Sequence, residues 1–343
     1  MSVYIITGAN GFLGNNIIRL LNSTDPDARI KALVLPDSRL DSLNGLNCEI
    51  VPGDITKPET LERCFSVENR DAHERVYVIH CAGVIDIGAK RNPAVTTVDV
   101  IGTENVMQAT MALGTSLKTK PRFIYVSSVH AIPEAPHGQQ MSEPSDFDPA
   151  LVVGQYAKAK AQASHLVLEK MRAGELEGCI VMPSGIIGPF DFSPENMKRL
   201  VIEVAKGKLP ACVKGGYDFV DVRDVSQGII SACLNGKNAE SYILSNRSVS
   251  IKEICDEVCR FVGRPPIRIV LPIEIAKLGA PFCELYYRAR KQVPLFTSYA
   301  LHTLQSNSNF SHQKACDELG YRTRPTQETV FDMMAWLEMT GEL

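Results

Sequence analysis

The chain carries almost no excess charge. Its 36 Lys and Arg stand against 39 Asp and Glu, a formal net charge of −3 over 343 residues. No basic stripe of the kind that tracks a phosphate backbone is present, which excludes a nucleic-acid binder. The ten cysteines never form Cys-x-x-Cys and the seven histidines are dispersed, so metal-ligand spacing is absent and no metal is expected. Several cysteines lie in apolar runs such as Val78-Ile79-His80-Cys81-Ala82, which reads as buried, reduced thiols of a cytoplasmic protein and not as a disulfide framework. No apolar run reaches the length of a membrane span. The first, Val3 to Ile6, leads straight into glycines without the basic flank of a signal peptide. Internal repeats and low-complexity tracts are lacking too. What remains is ordinary globular composition, 45% hydrophobic and 22% charged, with ample material for a large core.

The first half alternates strand and helix. Strands are expected at Val3–Thr7, Ile30–Leu35, Glu49–Val51, Val76–Cys81, Phe123–Ser127 and Cys179–Met182. Helices are expected at Phe12–Leu21, Pro58–Phe65, Val95–Leu113 and Gln155–Met171. The strands are near-continuous apolar runs, as in a parallel sheet covered on both faces. Short right-handed crossovers make this an α/β, Rossmann-type doubly wound sheet. The expected division is 1–182 for this dinucleotide-binding domain, with 217–245 returning to it, and 183–343 for a smaller, mostly helical C-terminal substrate lobe. There the helices are expected at Pro194–Lys206, Val225–Leu234, Ile251–Val262, Ile273–Arg290, Ser311–Leu319 and Gln327–Met339. Short strands are expected near Phe219-Val220, Tyr242–Leu244 and Ile267–Val270. The polar, Pro-rich stretch from Pro133 to Pro149 reads as a long surface loop bordering a site.

Two patterns carry chemistry. Thr7-Gly8-Ala9-Asn10-Gly11-Phe12-Leu13-Gly14 lies between the first strand and the first helix. Glycines there permit a tight turn, close approach of backbone N–H groups to a pyrophosphate, and close packing of helix on strand. The helix N-terminus adds partial positive charge. Tyr156 and Lys160, four residues apart, share one face at the head of a helix. A phenol titrates near ~10 when free, and a neighbouring ammonium favours its phenolate. Such a group exchanges a proton with an alcohol near neutral pH. Three further segments end strands at the edge where α/β sheets bind ligands. Asp54, followed by Ile55, is placed either to accept from an adenine amine or to cap the turn before Pro58. Cys81-Ala82-Gly83 lets a cofactor pass close to the backbone, or simply ends a strand. Ser127 and Ser128 supply hydroxyls for a substrate oxygen, or form a turn.

Taken together, these segments resemble the extended short-chain dehydrogenase/reductase superfamily, the NAD-dependent epimerase/dehydratase-like proteins. The resemblance extends through Gly53-Asp54-Ile55, Gly102-Thr103-Glu104-Asn105-Val106, Pro183-Ser184-Gly185-Ile186-Ile187-Gly188-Pro189 and Phe219-Val220-Asp221-Val222-Arg223-Asp224-Val225. The tail, Asn309-Phe310-Ser311-His312 and Glu318-Leu319-Gly320-Tyr321, is similar to the branch holding 3β-hydroxysteroid dehydrogenases and dihydroflavonol reductases.

The resemblance implies Tyr156 as general acid/base and Lys160 as holder of the nicotinamide ribose. It implies Ser128 as the group that polarises the reacting oxygen, and Pro183, Gly185 and Ile186 near the nicotinamide. It also implies a hydrophobic substrate, a sterol or polyphenol, among Ile85, Ile87, Ile132, Phe190, Phe192, Phe282 and Tyr286, and a homodimer through the helices that begin at Val95 and Gln155. The cofactor is NAD or NADP. NADP-using reductases of the branch often carry Arg where Leu35 stands, and Asp37 suits a free ribose, so NAD is favoured; Arg39 remains able to meet a 2′-phosphate. One position departs from the family, which has Asn where Asp99 stands, and an Asp lacks the amide donor. Two other readings share these residues. A nucleotide-sugar epimerase or dehydratase would use cations such as Lys198, Arg199, Lys206, Lys208 and Lys214. A catalytically weak NAD(P)-sensing binding protein is the third reading; the intact Ser128, Tyr156 and Lys160 argue against it and Asp99 slightly for it.

Overall fold

A computed structural model describes residues 2–67, 75–86, 92–117, 119–193, 196–276, 301 and 303–343. Chain order begins with β1 (Ser2–Thr7), α1 (Phe12–Thr24), β2 (Arg29–Val34), β3 (Glu49–Pro52) and β4 (Arg75–His80). Then come α2 (Pro93–Thr96), a π-helical turn over Thr97–Gly102, α3 (Thr103–Ser116), β5 (Arg122–Val126), α4 (Gln155–Arg172) and β6 (Glu177–Pro183). A seventh strand, β10 (Glu240–Leu244), lies beside β6, and the sheet order is β10-β6-β5-β4-β1-β2-β3, every pair parallel. β1 therefore has β2 on one side and β4 on the other. The strand order reverses at β1, and the crevice between β1 and β4 is where such a sheet takes a ligand.

Alternate residues of β1 go to opposite faces. Val3 and Ile5 enter one apolar cluster with Val78, Phe123 and Ile180, whereas Tyr4 and Ile6 enter another with Ile17, Tyr77 and Val181. Each such side chain, buried, contributes about 1.5–3 kcal/mol. A strand apolar on both sides is stable only under helices on both, which is why the run Val3–Ile6 carries no polar residue. Among the helices, α1 buries Ile17, Ile18 and Leu21. It packs against α6 (Val222–Asn235), which is capped by Asp221 accepting from the Arg223 N–H.

Beyond β6 the chain forms a three-stranded sheet, β11-β9-β7, from β7 (Gly185–Ile187), β9 (Gly216–Asp221) and β11 (Arg247–Ser250). β8 (Ala211–Val213) pairs with β12 (Ile269–Leu271). Helices α5 (Asn196–Ala205), α7 (Ile251–Phe261) and α9 (Thr326–Met339) pack around them, with α8 (Gln313–Leu319) beside α6. Two buried asparagines tie this half to the first: Asn15 Nδ2 donates to the Phe190 carbonyl and Asn16 Nδ2 to that of Pro189.

Several expectations need adjustment. Pro58–Phe65 is a single 3₁₀ turn, Pro58–Thr60, followed by turns, because Thr60 spends its hydroxyl on the Asp54 and Lys57 carbonyls instead of leaving the backbone to propagate a helix. Val95–Leu113 is interrupted by the π turn at Thr97–Gly102. β7, β8 and β11, three or four residues each, were too short to stand out from the surrounding loops. The expected helix Ile273–Arg290 begins with helical residues 273–276; the remainder lies outside the described residues. The stretch 133–149 is a loop, but a tethered one. Met141 bridges Phe310, Phe147 is buried, and Asn307 Nδ2 donates to the carbonyls of Ala135, Pro136 and Gln139.

Candidate active site

The glycine turn fits a pyrophosphate on structural grounds. Gly8 has φ +66°, and a Cβ there would stand 2.9 Å from the Ala82 backbone. A Cβ on Gly14 would stand 2.3 Å from the Gly8 carbonyl, so the helix sits directly on the turn. Gly11 begins α1 with no side chain capping its first turn. The N–H groups of that turn, which Phe12, Leu13 and Gly14 carry, have no intrahelical acceptor and suit an anion. Asn10 turns away, donating to Ser38 Oγ and the Arg39 carbonyl. Asp37 is exposed with φ +61°, and exposed Arg39 pairs with Asp41 at 2.8 Å. Asp54 Oδ1 accepts from the Thr56 N–H and hydroxyl, an Asx turn, while Ile55 is buried beneath Gly102.

At the other side of the crevice, α4 starts after Gly154, held at φ +102°. Its inner face buries Tyr156, Lys160 and Ser164 among alanines. Small residues there let a charged lysine sit where a larger neighbour would clash. Lys160 Nζ donates to the Val126 carbonyl at 3.3 Å, lies 3.5 Å from Asp99 Oδ1, and stands 5.4 Å from the Tyr125 ring centre and 6.0 Å from that of Tyr156. Burial opposes its charge, but Tyr125, Asp99 and Tyr156 outweigh burial and raise its pKa above the ordinary lysine value. A Cβ on Gly83 would stand 2.5 Å from Asp99 Oδ1 and 3.1 Å from Lys160 Nζ. Only glycine brings the end of β4 this close to the amine.

The two serines separate clearly. Ser127 Oγ is 2.6 Å from Ser164 Oγ, which donates to the Lys160 carbonyl, so Ser127 fastens β5 to α4. Ser128 Oγ accepts from the His130 N–H at 3.2 Å and keeps its own proton to donate. The His130 ring meets Tyr156 edge-on at 5.9 Å and stacks on Tyr217 at 5.7 Å. Burial lowers its pKa to about 4.

Sequence reasoning missed a buried polar relay behind this face. Thr103 Oγ1 donates to the Asp99 carbonyl at 2.7 Å, so it must accept from His80 Nε2 at 3.0 Å. The proton of neutral His80 therefore sits on Nε2, and Nδ1 accepts from Thr7 Oγ1 at 2.7 Å. Thr7 Oγ1 in turn accepts from the Ala82 N–H at 3.1 Å. Full burial, with a smaller push from Lys160, lowers the His80 pKa to about 3, so it stays neutral. One signal was available: Thr7 and His80, each at the end of an apolar run, must find partners once buried.

Pro183 ends β6 against Leu244, and Gly185 of β7, beside Ile186, lies against the Phe219 ring of β9. Cys81 donates its N–H to the Thr7 carbonyl, and burial pushes its thiol up to about 12. Ile85 is exposed and Ile132 buried. Phe190 and Phe192 pack on Trp336, with Arg19 over the Phe190 ring at 4.2 Å. Ile87, Phe282 and Tyr286 lie outside the described residues.

Known proteins resemble the chain along its full length. The NAD dependent epimerase/dehydratase family matches residues 4–245. "Sterol demethylase protein B" of Methylococcus capsulatus is 28% identical over 98% of both chains. The Mus musculus "3 beta-hydroxysteroid dehydrogenase type 7" is 30% identical over 93% of this chain and 91% of its own. Among solved structures, the crystal structure of gox2253 superposes with a TM-score of 0.80 at 29% identity, covering 99% of each chain.

Proposed function

The chain belongs to the NAD dependent epimerase/dehydratase family, and from that premise we propose that it moves a hydride between a nicotinamide and a hydroxyl or ketone carbon of a hydrophobic substrate, of the 3β-hydroxysteroid or dihydroflavonol kind. It is a nicotinamide-dependent enzyme that acts on CH–OH groups, and its fold is that of the family. The observation that carries the finer reading is the burial of Tyr156 and Lys160 on one face of α4, with Lys160 Nζ pressed against Gly83 at the crevice.

When bound, the nicotinamide supplies or accepts the hydride. The residues handle the proton and the substrate's oxygen. Ser128 Oγ–H donates to that oxygen. Tyr156 takes the hydroxyl proton during oxidation and returns it during reduction. Lys160, buried with its Nζ 6.0 Å from the Tyr156 ring centre, stabilises the phenolate. The names of two relatives, sterol demethylase protein B and 3β-hydroxysteroid dehydrogenase type 7, support a sterol-like substrate. Lys198 is bound to Glu342 and stands over Trp336, Lys206 donates to the Glu342 carbonyl, and Lys208 pairs with Glu203. The epimerase/dehydratase reading fits the same family.

NAD is the preferred cofactor in this reading, in keeping with the family's description. A homodimer through α3 and α4 belongs to it too, supported by exposed Ile101, Leu151 and Val153. Among the described residues nine cysteines are unpaired and no helix is long and apolar enough to cross a membrane, in keeping with a cytoplasmic site of action.

The test is to supply NADH or NADPH with 3-ketosteroids, flavonoids and small aldehydes and follow the reduced cofactor by absorbance, and separately to incubate nucleotide-sugars with NAD and separate the products by chromatography, since an epimerase or dehydratase returns its NAD unchanged. Turnover is expected on a steroid or flavonoid ketone, faster with NADH. Tyr156→Phe is expected to lose about 10²–10⁴-fold in rate with cofactor affinity kept. Turnover of a nucleotide-sugar alone overturns the reading.

A further inference from the structure

We propose that Asp99 is a positioning residue: it holds the Lys160 ammonium in a buried ion pair of zero net charge, and so decides how much of that ammonium's field reaches the Tyr156 phenol. The inference rests on the role given to Tyr156 above and goes beyond it, because an uncharged side chain at this position would leave the lysine's charge whole.

The geometry fixes Asp99 at both ends. Its backbone carbonyl lies in the π turn and is held by Thr103, and through Thr103 by His80 and Thr7. Its Oδ1 accepts from the Val84 N–H at 3.2 Å and lies 3.5 Å from Lys160 Nζ. The carboxylate is fully buried, and Oδ2 has no hydrogen-bond partner among the described residues. Leaving a carboxylate oxygen unsatisfied is unfavourable, so the compensating interaction is the one with the ammonium. Burial raises the Asp99 pKa, and Lys160 and the Val84 N–H oppose that rise.

Other groups around the phenol do not replace this field. From β4, His80 is neutral and Cys81 is a protonated thiol. From β5, burial raises the Tyr125 phenol to about 12, leaving it uncharged. After β5, His130 is neutral above about pH 4 with Glu134 acting on it, and Tyr217 of β9 stacks against it. Asp86, beyond β4, accepts from Asn92 Nδ2. Among the described residues, Lys160 and Asp99 are charged groups packed at the phenol's own depth, and they oppose each other. The consequence is a phenol less acidified than a lone lysine would make it, with proton transfer set to a correspondingly higher pH.

The full-length chain, labelled with 13Cζ-tyrosine, reports this directly by NMR titration; the Tyr156 signal is the one lost in Tyr156→Phe. Asp99→Asn is expected to move the Tyr156 midpoint down by about one pH unit or more, about tenfold more phenolate at a fixed pH below it. Lys160→Met is expected to move it up by a similar amount. The double variant, which buries no charge and so folds where a single one fails, is expected to return within about half a unit of the parent. A midpoint unmoved by Asp99→Asn, or a double variant titrating with Lys160→Met, overturns the proposal. Expected shifts together with full turnover by Tyr156→Phe would instead sink the proposed role of the phenol and leave this electrostatic assignment standing.

Discussion

Lys160 and Asp99 lie 3.5 Å apart with side chains 6% and 0% exposed, whereas Arg39 and Asp41, in the loop after β2, lie 2.8 Å apart with side chains 84% and 50% exposed. The shorter pair is the weaker one. Water and salt screen Arg39 and Asp41, and exposed pairs of this kind contribute about 0–1 kcal/mol. The longer pair sits in a medium of low polarisability, where each charge is tolerated because the other is there. Burial, not separation, decides which charges steer chemistry. The buried pair is placed to tune a proton transfer, and the exposed pair lies in a loop where its charges can change with little effect on the fold.

Breaking the pairs one at a time sharpens the contrast. Lys160→Met leaves Asp99 buried and unpaired, and is expected to destabilise the fold by about 3–5 kcal/mol in urea unfolding. The second substitution, Asp99→Asn, is expected to recover most of that loss. A single variant as stable as the parent would mean that the ammonium is not compensating the carboxylate.

His80 probes the relay behind the buried pair. Its ordinary pKa of 6.5 is lowered to about 3 in the fold, so the unfolded chain takes up a proton that the folded chain refuses. The stability that results is complete above pH 6.5 and is lost as pH falls from there toward 3. The slope is about 1.4 kcal/mol per pH unit for one such group. His80→Gln is expected to flatten the fall in melting temperature between pH 6 and about 4. An unchanged slope would argue against a neutral, buried imidazole.

The smallest effect belongs to the exposed pair. Arg39→Ala is expected to change stability by less than about 1 kcal/mol, with a difference that shrinks further as salt rises. A larger, salt-independent loss would show that this loop is coupled to the core after all.

The glycine turn and the Tyr156/Lys160 pair were legible in the sequence because their information is local. Spacing within one turn fixes which residues share a face, and glycine at Gly8 and Gly14 announces a close approach. The same holds for the strands β1 and β4 to β6, whose apolar runs require cover on both sides; the edge strand β3 is exposed at three of its four positions. Ser127 and Ser128 were indistinguishable by sequence, since only the position of Ser164 on α4 decides which hydroxyl is tied up. The contact of Phe190 and Phe192 with Trp336, more than a hundred residues further along the chain, was likewise invisible in the sequence.

By itself, then, the amino-acid order determined the alternation of strands and helices, the phosphate-cradling turn, and the face of α4 that carries the phenol and the amine. Periodicity and backbone freedom act over a few residues, and a sequence records them directly. Tertiary structure alone decided that Asp99, 61 positions before Lys160, would become its counter-charge, and that His80 would join Thr7 to Thr103. Those outcomes depend on which strands become neighbours and on how deeply a charge is buried, and both are set by the packing of the whole chain.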